Sequence, residues 1–122
     1  VLIPEGRAAG VSAAAWKTSA GALARVPVAR TVNLTRALKA YQKAGYTVIG
    51  LAADAELAID ALPDDIVNGP CVLVVGSEGK GLSRLVEEAC DWTVNIPMDS
   101  ATESLNAAVA AGIALYALSV KR

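Results

Sequence analysis

The sequence predicts an α/β domain with a mostly parallel sheet and helices on both faces. Two observations point there. Short β-rich runs alternate with helical ones along the chain. The strongest run, Cys71-Val72-Leu73-Val74-Val75, is apolar on both faces, as expected of a central parallel strand covered by helices. At 122 residues the chain has the length of one ordinary domain, so residues 1–122 are read as a single unit.

The elements follow in order. Val1-Leu2-Ile3 is a β-rich start ending at Pro4, and residues 5–10 read as a loop. Residues 12–23 are alanine-rich and helical in pieces, broken near Gly21. Residues 26–29 form a short strand candidate. Asn33 or Thr35 can cap a helix that runs to about Lys43, with Gly45 to end it. Residues 47–51, rich in β-branched side chains, predict a strand, and residues 55–62 a short helix stopped by Pro63. Asp64-Asp65 and Asn68-Gly69-Pro70 mark turns. After the Cys71–Val75 strand come a helix over 82–90, a strand over 92–96 and a last helix over 104–120.

Composition excludes several function classes. Hydrophobic residues make up 54% and charged residues 19%, which is globular and not disordered. There are 25 alanines, so the core is thinly padded. Aromatics are 4% and Phe is absent, which argues against a stacking platform for single-stranded nucleic acid. Eleven basic and twelve acidic residues give a net charge of −1, unlike a freestanding polybasic nucleic-acid binder. The chain has no histidine, which removes Ser-His-Asp and Cys-His catalysis and any histidine-containing zinc site. Cys71 and Cys90 stand alone and read as small core residues of a reduced, cytoplasmic protein; no metal is expected. No segment resembles a signal peptide, and the longest apolar run, residues 105–118, is too short to span a bilayer and contains Asn106.

Two loops can carry chemistry. Gly76-Ser77-Glu78-Gly79-Lys80-Gly81 follows the strongest strand, where open α/β sheets bind their ligands. It is not a P-loop, because Leu82 occupies the lysine position, and it is not a dinucleotide fingerprint, because the glycine order is wrong and Glu78 would repel a pyrophosphate. The plain alternative is a strand-to-helix turn that needs glycine. The second loop, residues 96–106, also follows a strand and opens a helix. Ser104 can serve as its N-cap, whereas Asn106 in the first turn of an apolar helix needs partners for its amide. Small residues at Ala107, Ala108, Ala110, Ala111, Gly112 and Ala114 invite close packing by a ligand, a strand or a second subunit.

These residues carry a resemblance. Residues 74–83 (VVGSEGKGLS), then Ile96-Pro97-Met98, then residues 103–112 (ESLNAAVAAG), resemble the second and third motifs of the SpoU/TrmH family of RNA ribose 2′-O-methyltransferases, in the SPOUT superfamily. Residues 19–22 and 32–34 look like that family's intermediate segments. The overall look is of the bacterial 23S rRNA guanosine 2′-O-methyltransferase branch.

The resemblance implies a C-terminal deep trefoil knot whose cleft holds S-adenosylmethionine. It maps cofactor contacts onto Gly76, Gly81, Ile96 and Leu105, with Leu51 and Met98 as neighbours. It assigns Ser104 and Asn106 to orienting the ribose and the methyl donor, and Glu78 to holding a catalytic arginine. It implies RNA, in particular 23S rRNA, as partner, with Arg7 as an RNA contact, and a homodimer packed through the knot. The family's first motif, with its arginine, would precede Val1, and the chain departs from the third motif at Ser100 and Ala108.

Overall fold

The computed structural model describes residues 2–4, 29–76, 81–97 and 107–121. The chain divides into two compact units, Val1–Ala37 and Leu38–Arg122. In the first, β1 (Leu2–Pro4) and β2 (Ala29–Thr31) pair in parallel, Leu2 opposite Ala29 and Pro4 opposite Thr31. The strand expected over 26–29 thus lies two to three residues further on. Helix α1 (Leu34–Lys43) then carries the chain into the second unit. Asn33 is its N-cap, its Oδ1 accepting from Arg36 N at 3.1 Å. Gly45, at φ +99°, ends it as expected, in a conformation that favours glycine.

The second unit holds a four-stranded, wholly parallel sheet made of β3 (Thr47–Leu51), β4 (Leu57–Ala58), β5 (Cys71–Val74) and β6 (Trp92–Asn95), in the order β4-β6-β3-β5. β6 therefore lies between two strands that precede it in the chain. Gly50 stands opposite both Val74 and Thr93, and Leu51 opposite Val94. β3 is the most buried strand, with Val48 and Ile49 at zero exposure. The central place expected for Cys71–Val75 belongs to β3, which has a partner on each side, whereas β5 ends the described sheet. Apolarity on both faces did not separate the two strands, because a strand ending the sheet is also sandwiched where helices cover it.

Between β3 and β5 the structure corrects two expectations. Residues 55–62 are not a helix: Leu57–Ala58 pair with Val94 and Asn95 of β6, and Ile59–Ala61 form a single 3₁₀ turn. Strand pairing outweighs the helical preference of the alanines there. The turn expected at Asp64-Asp65 is the first turn of α2 (Asp64–Asn68), with Pro63 as its N-cap and the two acids at its positive end.

One core cluster joins Ile49, Ile59, Leu62, Val67, Val94 and Ala114, with Leu51, Leu73, Trp92 and Leu118 packed against it. Each fully buried aliphatic side chain contributes roughly 1.5–3 kcal/mol. Ala114 belongs to α4 (Ala107–Lys121), so α4 covers the face of the sheet that Ile49 and Val94 present. The opposite face is covered at Gly50, where an added Cβ would come within 2.7 Å of Cys90 Sγ and 2.8 Å of Leu82 Cδ1. Those two residues flank α3 (Arg84–Ala89), whose N-cap Ser83 accepts from Val86 N. At its far end α4 is fastened by Lys121, which donates to the Leu62 carbonyl at 3.0 Å and lies 3.9 Å from an Asp64 carboxylate oxygen.

Candidate functional site

Because β3, β5 and β6 are parallel neighbours, their carboxyl ends lie side by side. Leu51 is the last residue of β3, Gly76 lies two residues beyond β5, and Ile96 directly follows β6. All three are half-buried. The structure thus brings these three nominated residues to one edge of the sheet, where α/β folds bind ligands. The edge offers aliphatic surface and main-chain groups, and no charged side chain among the three.

Gly76 is required there by the chain itself. A Cβ at Gly76 would overlap the backbone carbonyl of Gly81 and come within 2.7 Å of its Cα. The Gly81 backbone therefore lies directly against that of Gly76. Gly81 is exposed, and it needs glycine for a different reason: its φ is +65°, while a Cβ there would meet nothing within 4 Å. Gly76 thus needs glycine for close approach. The atoms that approach belong to the protein.

Asn95 was missed by sequence reasoning. Its Nδ2 donates to the Ala55 carbonyl. The turn that follows Leu51 is closed by Ala55 N to Ala52 O at 3.1 Å, and Ala52 N continues the ladder to Val94 O at 2.9 Å. Asn95 thus braces the turn beside Leu51. An amide at the end of β6 was the available signal.

The other nominated residues, Arg7, Glu78, Met98, Ser104, Leu105 and Asn106, lie outside the described residues. Behind the edge, burial first, then Asp91 and Glu87, push the Cys90 thiol up to about 11, so it remains protonated and unreactive at neutral pH. Cys71 and Cys90 are both half-buried. Among the described residues no cluster of acids and cysteines could hold a metal ion. No helix among them is long and apolar enough to cross a membrane.

A family model for the SpoU rRNA methylase family matches residues 1–116. The chain belongs to that family. Among curated proteins it is 58% identical over all 122 residues to an "Uncharacterized tRNA/rRNA methyltransferase" of Mycolicibacterium vanbaalenii, and spans 38% of that protein's length. A protein of the same description from Mycobacterium leprae is 54% identical over the same span. Among solved structures, the SpoU methyltransferase AviRb from Streptomyces viridochromogenes in complex with AdoMet superposes with a TM-score of 0.87 at 29% identity, over 99% of this chain and 49% of that one. An RNA methyltransferase of the TrmH family from Porphyromonas gingivalis, described as putative, superposes with a TM-score of 0.82 at 31% identity, over 97% of this chain and 47% of that one. The SpoU-type sheet is therefore present, within a chain that spans about two fifths of its curated relatives.

Proposed function

We propose that residues 1–122 are the catalytic segment of an RNA ribose 2′-O-methyltransferase that uses S-adenosylmethionine and acts on a guanosine of 23S rRNA in the cytoplasm. The observation that carries this reading is the convergence of Leu51, Gly76 and Ile96 at the carboxyl edge of one parallel sheet. Half-buried aliphatic surface suits a flat purine ring, and the main-chain groups of the strand ends suit its polar edge. The AdoMet complex of AviRb, on the same fold, supports the choice of cofactor.

When bound, the cofactor supplies a methyl group carried on a cationic sulfur. Leu51, Gly76, Gly81, Ile96, Met98 and Leu105 would hold it. Ser104 and Asn106 then orient the ribose hydroxyl in line with the methyl carbon, which is where most of the rate must arise. A ribose hydroxyl is a weak nucleophile, so its proton has to be accepted as the new bond forms. Glu78 holds the arginine that serves the reacting centre, and Arg7 touches RNA.

A C-terminal trefoil knot belongs to this reading. What supports it is the insertion of β6 between β3 and β4, together with α4 fastened through Lys121 to Leu62. A homodimer belongs to it too, supported by the solvent face of α4. Val109, Ile113, Tyr116 and Val120, spaced four, three and four apart, form one exposed apolar stripe, with Tyr116 at 70% exposure. That stripe also favours a second reading, a cofactor-binding and dimerisation module that is inactive without the rest of a longer protein.

Calorimetry with S-adenosylhomocysteine tests the first claim. Saturable one-site binding is expected, and a folded sample that binds none removes the cofactor from the proposal. Methylation of 23S rRNA by this chain and by a longer relative that contains the equivalent segment separates the two readings. Activity in the longer protein alone favours the inactive module.

A further inference from the structure

The net charge of −1 conceals a division of charge along the chain. Residues 1–53 hold seven basic residues and one acid, Glu5, whereas residues 54–122 hold four basic residues and eleven acids. The part of the basic half that the structure describes in most detail is α1. Its apolar side is anchored by Leu38, at 1% exposure. Arg36, Lys39 and Lys43 are exposed and recur at intervals of three and four residues, so they share the opposite side. No acid interrupts the helix. Rising 1.5 Å per residue, this row extends for about 10 Å.

A charged helix side is usually just a solvated one, and α3 shows what that looks like. Its Arg84 and Glu88 face each other at 3.8 Å, one turn apart, so charges of both signs sit together. Among the described residues, Arg36, Lys39 and Lys43 have no such partner. The acid that the structure sets against α1 is Asp91, and its Oδ2 is already engaged by Val48 N at 2.8 Å and Gln42 Nε2 at 3.1 Å. Beyond the end of α1, Tyr46 remains 38% exposed and its ring meets Tyr41 edge-to-face at 5.3 Å. A row of uncompensated cations ending at a partly exposed aromatic ring is the chemistry of a nucleic-acid strand contact.

We infer that the exposed side of α1, through Arg36, Lys39 and Lys43 with Tyr46 at its end, is a phosphate-tracking surface for the RNA substrate, separate from the cofactor edge. This rests on the RNA-methyltransferase reading above. It makes the segment a second RNA contact region in addition to Arg7. Contacts of this kind hold the strand in register without reading its sequence.

The test compares the chain with its Arg36→Gln/Lys39→Gln/Lys43→Gln variant, using fluorescence anisotropy of a labelled RNA hairpin across a salt series. Loss of three phosphate contacts should lower affinity about tenfold or more and flatten the salt slope by roughly 2, at ~0.7 per contact for single strands. S-adenosylhomocysteine affinity and thermal midpoint should not move, since the three side chains are exposed. A Lys39→Arg/Lys43→Arg variant should retain wild-type binding. Equal affinity and slope in the triple variant overturn the inference, as does failure of the wild-type chain to bind RNA. A wild-type chain that binds RNA through α1 but binds no S-adenosylhomocysteine would leave this surface standing and remove the methyltransferase reading.

Discussion

The two ends of the four-stranded sheet are built differently. At the amino end, side chains close the structure onto itself. Asp91 accepts from Val48 N and Gln42 Nε2, Gln42 also donates to the Ala89 carbonyl at 2.8 Å, and Thr47 N bonds Pro70 O. At the carboxyl end, Leu51, Gly76 and Ile96 present half-buried apolar and main-chain surface, and order is maintained by a backbone crossing at Gly76–Gly81 and by the brace from Asn95. The first end is satisfied internally. The second leaves surface for something else. Stability and ligand binding should therefore respond separately to substitutions at the two ends.

The largest effect is expected at the crossing. Gly76→Ala places a methyl group inside the Gly81 backbone, which cannot move aside as a side-chain tip could. Such overpacking costs about 1–3 kcal/mol or more. The urea midpoint should fall and S-adenosylhomocysteine binding should disappear. Wild-type binding would show that the crossing does not shape the site. At the opposite end, Asp91→Ala strips Val48 N of its side-chain acceptor and Gln42 of one of its two. A loss of about 1–3 kcal/mol in chemical denaturation is expected, with ligand affinity in the surviving folded protein unchanged. A change in affinity would mean that the two ends are coupled.

Asn95→Ala should show the converse pattern. Release of the Ala55 carbonyl loosens the turn beside Leu51, so calorimetry should report several-fold weaker binding, with about 1 kcal/mol of stability lost. The smallest effect concerns Cys90. Its folded-state pKa of about 11 lies above the ordinary 9.0, so the protonated thiol favours the folded state. That contribution is complete below pH 9 and fades as pH rises towards 11. Peptide mapping after iodoacetamide treatment at pH 8 should find Cys90 alkylated far more slowly than in the unfolded chain. Equal rates would contradict its protection behind Gly50.

Much of the fold was legible in the residues. The limits of α1 follow from Asn33 and Gly45, because caps are local chemistry. The piece at 57–58 was misread because its state depends on β6, which enters the sheet nearly forty residues later. The candidate edge was only partly legible. Its glycines were conspicuous, but not that one of them serves the backbone crossing, since that requires knowing where Gly81 returns. Asn95 was passed over because its partner, Ala55, is forty residues away. Net charge, a sum over the chain, hides how its signs are distributed.

By itself, the sequence determined the α/β class, the longer helices and strands, and the family, because periodicity, caps and contiguous motifs are written in neighbouring residues. Only the tertiary structure decided which strand is central, which residues meet at the carboxyl edge, and why Gly76 has no side chain. Those are relations between segments distant in the chain, and distances across a sheet are set by pairing and packing, which no local stretch contains.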